Sequence, residues 1–314
     1  MTWWGSQVRT LHRAPSPATE GIFTGVSRAS QDSLATTASR FSIRPVIAIA
    51  TASQKGGVGK TTLCINLAYS LARRGWNVLL ADTDPQGGVG LSLARSTRSK
   101  QGFYDYLCGG GDFDKLVLAT RLPELQILPA GQYDACSRRG WPAHEVPARL
   151  ADILRSAELR GVDCLIMDTA AGLNGMSESV VKACDYVIIP QQAEPLAVRS
   201  VPHMLETLSR YRSEGAPVKV AGILLTMVMA GNSISQKVVN ELRAMLPASL
   251  MFEQNVPRLE SFLEASAMGV PVALMKRNPP PEALIFDQIA AEIEQRTGLP
   301  EDREAAQSHA SLLD

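Results

Sequence analysis

The sequence lacks any uninterrupted apolar run of the roughly 18 residues that a membrane-spanning helix needs. It also lacks an excess of either charge, since 31 Lys and Arg balance 31 Asp and Glu. No global charge attracts the chain to nucleic acid or to a membrane, so any such binding must come from a local patch. The N-terminus has no basic start followed by an apolar block, and we therefore predict no secretory signal.

Cysteine is scarce as well. The five cysteines include no CxxC pair, and their odd number argues against a disulfide-stabilised secreted scaffold. Cys64 and Cys164 lie within apolar segments, where a small core residue is expected. These features favour a reducing cytoplasm.

Apolar sequence is abundant and regularly spaced. Hydrophobic residues make up 45% of the 314 residues, enough for one large α/β domain or two small ones. From Val46 onward, short apolar runs alternate with stretches of helical spacing, and Leu250–Phe252 is the last run predicted as a strand. Strands without polar alternation are typical of a parallel sheet covered on both faces. We therefore predict a single α/β domain over residues 45–298, with a mostly parallel, twisted sheet flanked by helices.

Two polar segments flank this domain. Residues 1–44 are rich in Ser, Thr, Ala, Pro and Arg without a sustained period, which predicts a flexible basic extension. The alternative is a start codon assigned too far upstream. The extension is too short for a DNA-reading helix-turn-helix and a linker, and residues 299–314 are predicted to be a polar tail.

The most informative segment follows the first strand and precedes the first helix. Its sequence is Lys55-Gly56-Gly57-Val58-Gly59-Lys60-Thr61-Thr62. Glycines allow successive backbone N–H groups to turn toward phosphate oxygens, and the helix adds its positive end. Lys60 can reach the β- and γ-phosphates, and the Thr61 hydroxyl can ligate Mg²⁺. The segment predicts a P-loop NTPase that binds ATP and Mg²⁺ through Gly56, Gly57, Val58, Gly59, Lys60, Thr61 and Thr62.

This loop departs from the general G-x-x-x-x-G-K-[ST] pattern, because Gln54 stands where the first glycine would be and Lys55 follows it. In this respect it resembles the deviant Walker motif KGGxGKT[ST] of the ParA/MinD family of P-loop ATPases. The resemblance implies an ATP-sandwich homodimer in which Lys55 reaches the ATP of the partner subunit. A cation there would stabilise the leaving phosphate as an arginine finger does. The alternative is a solvated loop lysine.

Carboxylates follow the second strand in the segment Asp82-Thr83-Asp84-Pro85-Gln86-Gly87. Such positions lie beside the phosphate loop in parallel sheets. The segment resembles DxDPQG of ParA proteins, which implies that Asp84 positions or activates the attacking water and that Asp82 supports the metal shell. One residue separates Asp82 from Asp84, and we predict that their side chains point in different directions and have different roles. The same residues also form turns readily, so a purely structural turn is the alternative.

A further carboxylate, Asp168, follows the apolar strand Cys164–Met167 in the Walker B layout. From there it can hold a Mg²⁺-bound water, and the loop that follows can respond to the γ-phosphate. Ala171 stands where family members often have proline. Later segments resemble the family more loosely: Ile189–Pro195 precedes the long helix, and the segment around Pro257 lies near the adenine in the family, which implies a base contact.

ParA-like ATPases bind DNA without sequence preference as ATP dimers. The resemblance makes candidate DNA contacts of Arg199, Arg210, Arg212, Lys219, Lys237, Arg243 and Arg258. An ordinary solvated surface carries similar charges, so that alternative stays open. MinD-like relatives end in a basic amphipathic helix, whereas residues 301–314 are acidic and nearly lack large apolar residues. No membrane anchor is predicted.

The resemblance therefore implies a cytoplasmic, nucleoid-associated ATPase that positions or segregates a plasmid, a chromosome or a protein cluster. A ParB-like or analogous partner would stimulate its hydrolysis. Two alternatives stay open: a MinD- or flagellar-type regulator of division or organelle placement, and an ATP-dependent metabolic enzyme of the same fold. An iron–sulfur version of the latter needs a cysteine soon after the Walker B strand, and residues 169–183 contain none.

Overall fold

Seven strands form one sheet in the computed structural model, which describes residues 45–93, 100–109, 111–138 and 144–299. The strands are β1 (Ile47–Thr51), β2 (Val78–Asp82), β3 (Leu118–Ala119), β4 (Leu125–Leu128), β5 (Cys164–Asp168), β6 (Tyr186–Gln192) and β7 (Lys219–Thr226). Their order is β3-β4-β2-β5-β1-β6-β7, and every neighbouring pair is parallel except β3 with β4. The predicted, mostly parallel sheet is confirmed.

Helices connect the strands and cover both faces of this sheet. They are α1 (Lys60–Arg73), α2 (Gly88–Ser92), α3 (Phe103–Leu107), α4 (Phe113–Leu116), α5 (Tyr133–Arg138), α6 (Val146–Leu159), α7 (Gly175–Ala183), α8 (Pro195–Ser213), α9 (Ser233–Met245), α10 (Glu260–Met268) and α11 (Ala283–Thr297). One core packs α6 to α9 against the sheet, and the other packs α1, α10 and α11 against the opposite face. No helix of the described segments is long and apolar enough to cross a membrane.

The central strands are buried along their whole length. Every residue of β2 and β5 is buried, because helices cover both sides of the sheet. The parallel register brings the carboxyl ends of three strands to one edge, where Asp168 pairs with Asp82 on one side and with Thr51 on the other. This edge collects the residues that the sequence motifs single out.

The strand predicted at Leu250–Phe252 is wrong. A short 3₁₀ turn covers Ala248–Leu250, and Met251 forms one isolated bridge with Ile223. The Arg296 guanidinium donates to the carbonyls of Ser249 and Met251, both at 2.7 Å, which takes acceptors that a ladder would use. The short helices α2 to α5 were not predicted, because one or two turns are too few to show an apolar period. Helix α7 was not predicted either.

The predicted extension at 1–44 lies outside the described residues. Residues 300–314, which make up all but the first position of the predicted tail, lie outside them too.

Candidate nucleotide-binding site

The glycine-rich loop between β1 and α1 has the backbone that an anion site requires. Gly57 and Gly59 adopt φ of +73° and +90°, a left-handed conformation that glycine reaches without a steric penalty. Helix α1 begins at Lys60 without a side-chain cap and without an acidic residue in its first turn. The first N–H groups of the helix therefore stay available to a negatively charged ligand.

Lys60 lies inside this loop as a buried cation. The residue is 7% exposed, and its ammonium makes no hydrogen bond or ion pair within the described part of the chain. A buried, unpaired charge is unfavourable, and a phosphate group would supply the missing partner. The loop is anchored on its other side by Thr226 of β7, whose hydroxyl donates to the Val58 carbonyl at 2.9 Å.

Two carboxylates meet the loop at the edge of the sheet. The Thr61 hydroxyl donates to Asp168 Oδ2 at 2.6 Å. Asp82 accepts hydrogen bonds from the backbone N–H groups of Asp84 and Val89, at 3.2 and 3.0 Å. The described residues hold no group of three metal-ligating His, Cys, Asp or Glu side chains. A hydroxyl beside two carboxylates nevertheless fits Mg²⁺, which is commonly held by few protein oxygens together with phosphates and water.

Burial changes the acidity of both carboxylates. Asp82 is inaccessible to solvent, and this burial together with the nearby Asp168 raises its pKa to about 8. Burial raises the pKa of Asp168 to about 6, opposed by the Thr61 hydrogen bond and by the charge of Lys60. Without a cation, the carboxyl group of Asp82 is therefore largely protonated at neutral pH.

An Asp82→Asn variant tests this description through pH-dependent stability. The folded-state pKa of Asp82 is raised, so the wild type loses stability as the pH rises from the unfolded pKa, about 4, to the folded pKa, about 8, and the loss is complete above about pH 8. The variant lacks this titration, so its melting temperature relative to the wild type, without nucleotide and Mg²⁺, should rise by about 5 °C between pH 4 and pH 8.5. Thermal denaturation across this pH range measures the difference, with the half-buried Asp84→Asn as the control. A melting-temperature difference that stays the same between pH 4 and pH 8.5 would contradict the raised pKa of Asp82.

Asp84 occupies a different position from Asp82. It is half-buried, and its Oδ1 accepts the N–H of Gln86 at 2.9 Å. The Gly87 N–H donates to the Asp84 carbonyl at 2.9 Å and closes a turn. Residues two apart in a strand share a face, but β2 ends at Asp82 and Asp84 lies in the turn that follows, so the two carboxylates have different surroundings. The turn coexists with an accessible carboxylate at Asp84.

Lys55 is held by residues to which the sequence motifs assigned no role. Its ammonium forms an ion pair with Glu194 Oε2 at 2.6 Å and approaches Gln192 Oε1 at 3.5 Å. The side chains of Lys55 and Glu194 are 40% and 41% exposed, so solvent screens this pair and it is worth about 1 kcal/mol or less. Glu194 could have been found from the sequence, because it is a carboxylate just after β6 in the segment Ile189–Pro195 that precedes the long helix.

A cavity of about 240 Å³ opens beside Gly59 and Thr62. Pro257 lies in its wall, together with the apolar side chains of Met227 and Phe262. Pro257 therefore stands next to the phosphate loop, where a base contact is expected. Met227 has a φ of +53°, which strains a residue with a side chain and turns the chain from β7 around the cavity.

The candidate DNA contacts are distributed over different parts of the surface. Arg199 and Lys237 are exposed on α8 and α9, which pack side by side. Arg258 lines the cavity. Arg243 donates to the carbonyls of Phe252 and Glu253 at 3.1 and 3.0 Å, so its guanidinium supports the local backbone.

Arg210 and Lys219 lie toward the opposite edge of the sheet, at the end of α8 and the start of β7. Arg210 stands over the Tyr211 ring and 3.9 Å from Glu214, and Lys219 lies 5.9 Å from the centroid of the Tyr186 ring. Arg212 is exposed in the same region. Arg199 on α8 and Lys237 on α9 are both exposed and make no hydrogen bond or ion pair among the described residues.

A parallel sheet with an anion-binding glycine loop, a buried lysine and strand-end carboxylates defines a P-loop nucleotide-binding protein. A family model described as "AAA domain" matches residues 46–219. The chromosome partitioning protein ParA of Caulobacter vibrioides is 33% identical over 245 residues, covering 74% of this chain and 88% of that protein. The chain belongs to the ParA/MinD family of P-loop ATPases.

Solved structures share the same fold. The septum site-determining protein MinD of Pyrococcus horikoshii, complexed with Mg-ADP, is 21% identical with a TM-score of 0.64, covering 81% of this chain and 98% of that chain. Cobyrinic acid a,c-diamide synthase of Mycobacterium smegmatis, with a bound ATP analogue and magnesium, is 25% identical with a TM-score of 0.61. This second match covers 84% of this chain and the whole of that chain.

Proposed function

We propose that this protein hydrolyses Mg-ATP to ADP and phosphate, and that ATP binding joins two copies of the chain. The observation that carries the proposal is the buried Lys60 ammonium, unpaired in the described residues, inside a loop of left-handed glycines. Phosphates bound there would neutralise Lys60, and Thr61 would complete the shell of a Mg²⁺ ion beside Asp82 and Asp168. Asp84 would orient the attacking water, because its carboxylate is accessible at the same edge.

Dimerisation is supported by exposed apolar side chains at the nucleotide-binding edge. Leu196, Met229 and Ile234 lie where α8 and α9 begin, and Leu259 and Leu263 border the cavity, all of them between 37% and 73% exposed. Apolar groups clustered in this way mark interaction surfaces. In the proposed dimer each subunit brings this edge, with Lys55, against the nucleotide of the other.

We propose further that the ATP-bound dimer binds DNA non-specifically and positions or segregates a cargo, in the cytoplasm and on the nucleoid. A ParB-like or analogous partner would stimulate hydrolysis and release. The relative named as a chromosome partitioning protein supports this proposal, as do Arg199 and Lys237, exposed on neighbouring helices. Counterion release from several such contacts gives weak, salt-sensitive binding.

Specific observations favour this proposal over a metabolic enzyme of the same fold. A cluster-bearing reductase needs cysteines at the dimer face, but residues 169–183 contain none and Cys184 is fully buried. The likeness to a diamide synthase concerns the nucleotide-binding fold, and fold alone does not carry over a substrate. A MinD-type regulator differs from the proposal in its template and cargo, so the test below on DNA separates the two.

DNA retention measured with each nucleotide tests the proposal. We expect the wild type to stay on immobilised random-sequence DNA with ATP, to elute with ADP, and to lose ATP-dependent retention as Lys60→Ala. An Arg199→Ala/Lys237→Ala double variant should retain DNA about tenfold less at physiological salt, whereas Arg155→Ala, an exposed cation on α6, should match the wild type. Retention that is the same with ATP, with ADP and in Lys60→Ala would exclude an ATP-dependent DNA-binding role.

A further inference from the structure

The peptide that joins Thr83 to Asp84 is held at both of its polar ends. Its carbonyl oxygen accepts a hydrogen bond from the Tyr104 hydroxyl at 2.6 Å. Its N–H, which belongs to Asp84, donates to Asp82 Oδ1 at 3.2 Å. A peptide plane fixed at the carbonyl and at the N–H fixes the N–Cα bond of Asp84, and the turn closed by the Gly87 N–H on the Asp84 carbonyl restrains rotation about that bond. Together they set the direction of the Cα–Cβ bond. That bond carries the Asp84 carboxylate.

Thr83 adds a second restraint to the same segment. Its backbone N–H and its hydroxyl both donate to the carbonyl oxygen of Asp168, at 2.9 and 2.6 Å. Thr83 is fully buried, so water does not compete for these bonds. The segment that carries Asp84 is thereby tied to the end of the strand that carries the Walker B aspartate.

Tyr104 is itself rigidly placed. It lies on α3, inaccessible to solvent, with edge-to-face contacts to Phe103 and Tyr133 at centroid distances of 5.1 and 4.9 Å. Burial, with Asp84 and Asp82 nearby, raises the pKa of the phenol well above its ordinary value, so the hydroxyl keeps its proton and acts as a donor. A packed aromatic side chain loses little further entropy when it holds a backbone group.

We infer that Tyr104 and Thr83 are positioning residues for ATP hydrolysis, which orient the Asp84 carboxylate toward the attacking water by fixing the peptide before it. The inference rests on the proposed ATPase function. Neither residue belongs to the glycine loop or lines the cavity beside it, and both act through Asp84. The hydroxyl groups of Tyr104 and Thr83 should therefore matter for the rate of hydrolysis and not for the affinity for ATP.

The test is single-turnover hydrolysis of Mg-ATP by the full chain, with ATP affinity measured in parallel. Tyr104→Phe removes one oxygen and keeps the ring, and we expect the rate at saturating ATP to fall about tenfold while the Kd for ATP stays within twofold. Thr83→Val should lose a similar factor, and Thr83→Ser should recover most of the rate. Tyr106→Phe, on the same helix with its ring against Phe113, should hydrolyse ATP like the wild type.

A double variant separates positioning from a general effect on the fold. In an Asp84→Ala background, Tyr104→Phe should cause no further loss of rate, because the residue through which it acts is gone. If the wild type hydrolyses ATP and Tyr104→Phe hydrolyses it at the same rate, the positioning role is overturned and the proposed ATPase function is not. Additive losses in the double variant also overturn it. If the wild type itself hydrolyses no ATP, the proposed function fails, and this inference fails with it.

Discussion

A Lys55→Ala variant should bind ATP with nearly wild-type affinity and fail to dimerise when ATP is added. Lys60 and the glycine loop already account for phosphate binding within one subunit, because the Lys60 ammonium is buried there and makes no hydrogen bond or ion pair among the described residues. Lys55 is 40% exposed and makes contacts away from that loop, with Glu194 and Gln192. Its substitution therefore leaves the intrasubunit site intact and removes a cation that can cross to a partner.

Sedimentation or light scattering with ATP and with ADP measures dimerisation. ATP turnover in the presence of the activating partner or of DNA measures stimulated hydrolysis. We expect the ATP-dependent dimer to disappear and stimulated turnover to fall about 100-fold or more. Lys115→Ala, which removes an exposed cation on α4, serves as the matched control. Equal dimerisation and equal stimulated turnover in Lys55→Ala would show that Lys55 has no role in a dimer, and the protein would then be an ordinary P-loop ATPase.

The ion pair between Lys55 and Glu194 predicts that a second substitution, Glu194→Gln, strengthens dimerisation. If Lys55 must leave Glu194 to reach a partner, Glu194→Gln should weaken the intrasubunit contact without removing the lysine. Because the pair is half-exposed and worth about 1 kcal/mol or less, the gain in dimer affinity should be at most about fivefold for each Lys55, or about 30-fold for a dimer in which both are released. The two substitutions thus shift dimerisation in opposite directions, which a general loss of folding cannot do.

An Asp84→Ala variant should bind ATP, remain dimeric and hydrolyse ATP about 100-fold more slowly than the wild type. The carboxylate of Asp84 is accessible and accepts one backbone N–H from Gln86, which leaves acceptor capacity for a water. Asp82 cannot take over this task, because it is inaccessible and directed toward backbone N–H groups.

Quenched single-turnover assays measure the rate, and retention of labelled ATP on the dimer measures the trapped state. Asp287→Ala, which removes an exposed carboxylate on α11, is the control. Normal hydrolysis by Asp84→Ala would refute its role as the water-positioning group. A variant that neither binds ATP nor dimerises would instead show that the turn closed by Gly87 supports the whole loop.

The phosphate loop and the sheet could be predicted because their causes are local. Gly57 and Gly59 permit a backbone that other residues resist, and β2 and β5 are apolar up to their terminal aspartates since both faces are covered. The predicted strand at Leu250–Phe252 failed because Arg296, distant in sequence, takes the carbonyls that a ladder would use.

The sequence by itself determined the chemistry of this protein: a nucleotide loop, strand-end carboxylates and an additional lysine, all recognisable from residue types at short spacing. Tertiary structure alone decided their partners. Glu194 meets Lys55, Tyr104 meets the Thr83 carbonyl, and Asp82 lies opposite Asp168 in the register of the sheet. These contacts join residues from separate strands and helices, and the packing of the sheet, not local spacing, brings them together.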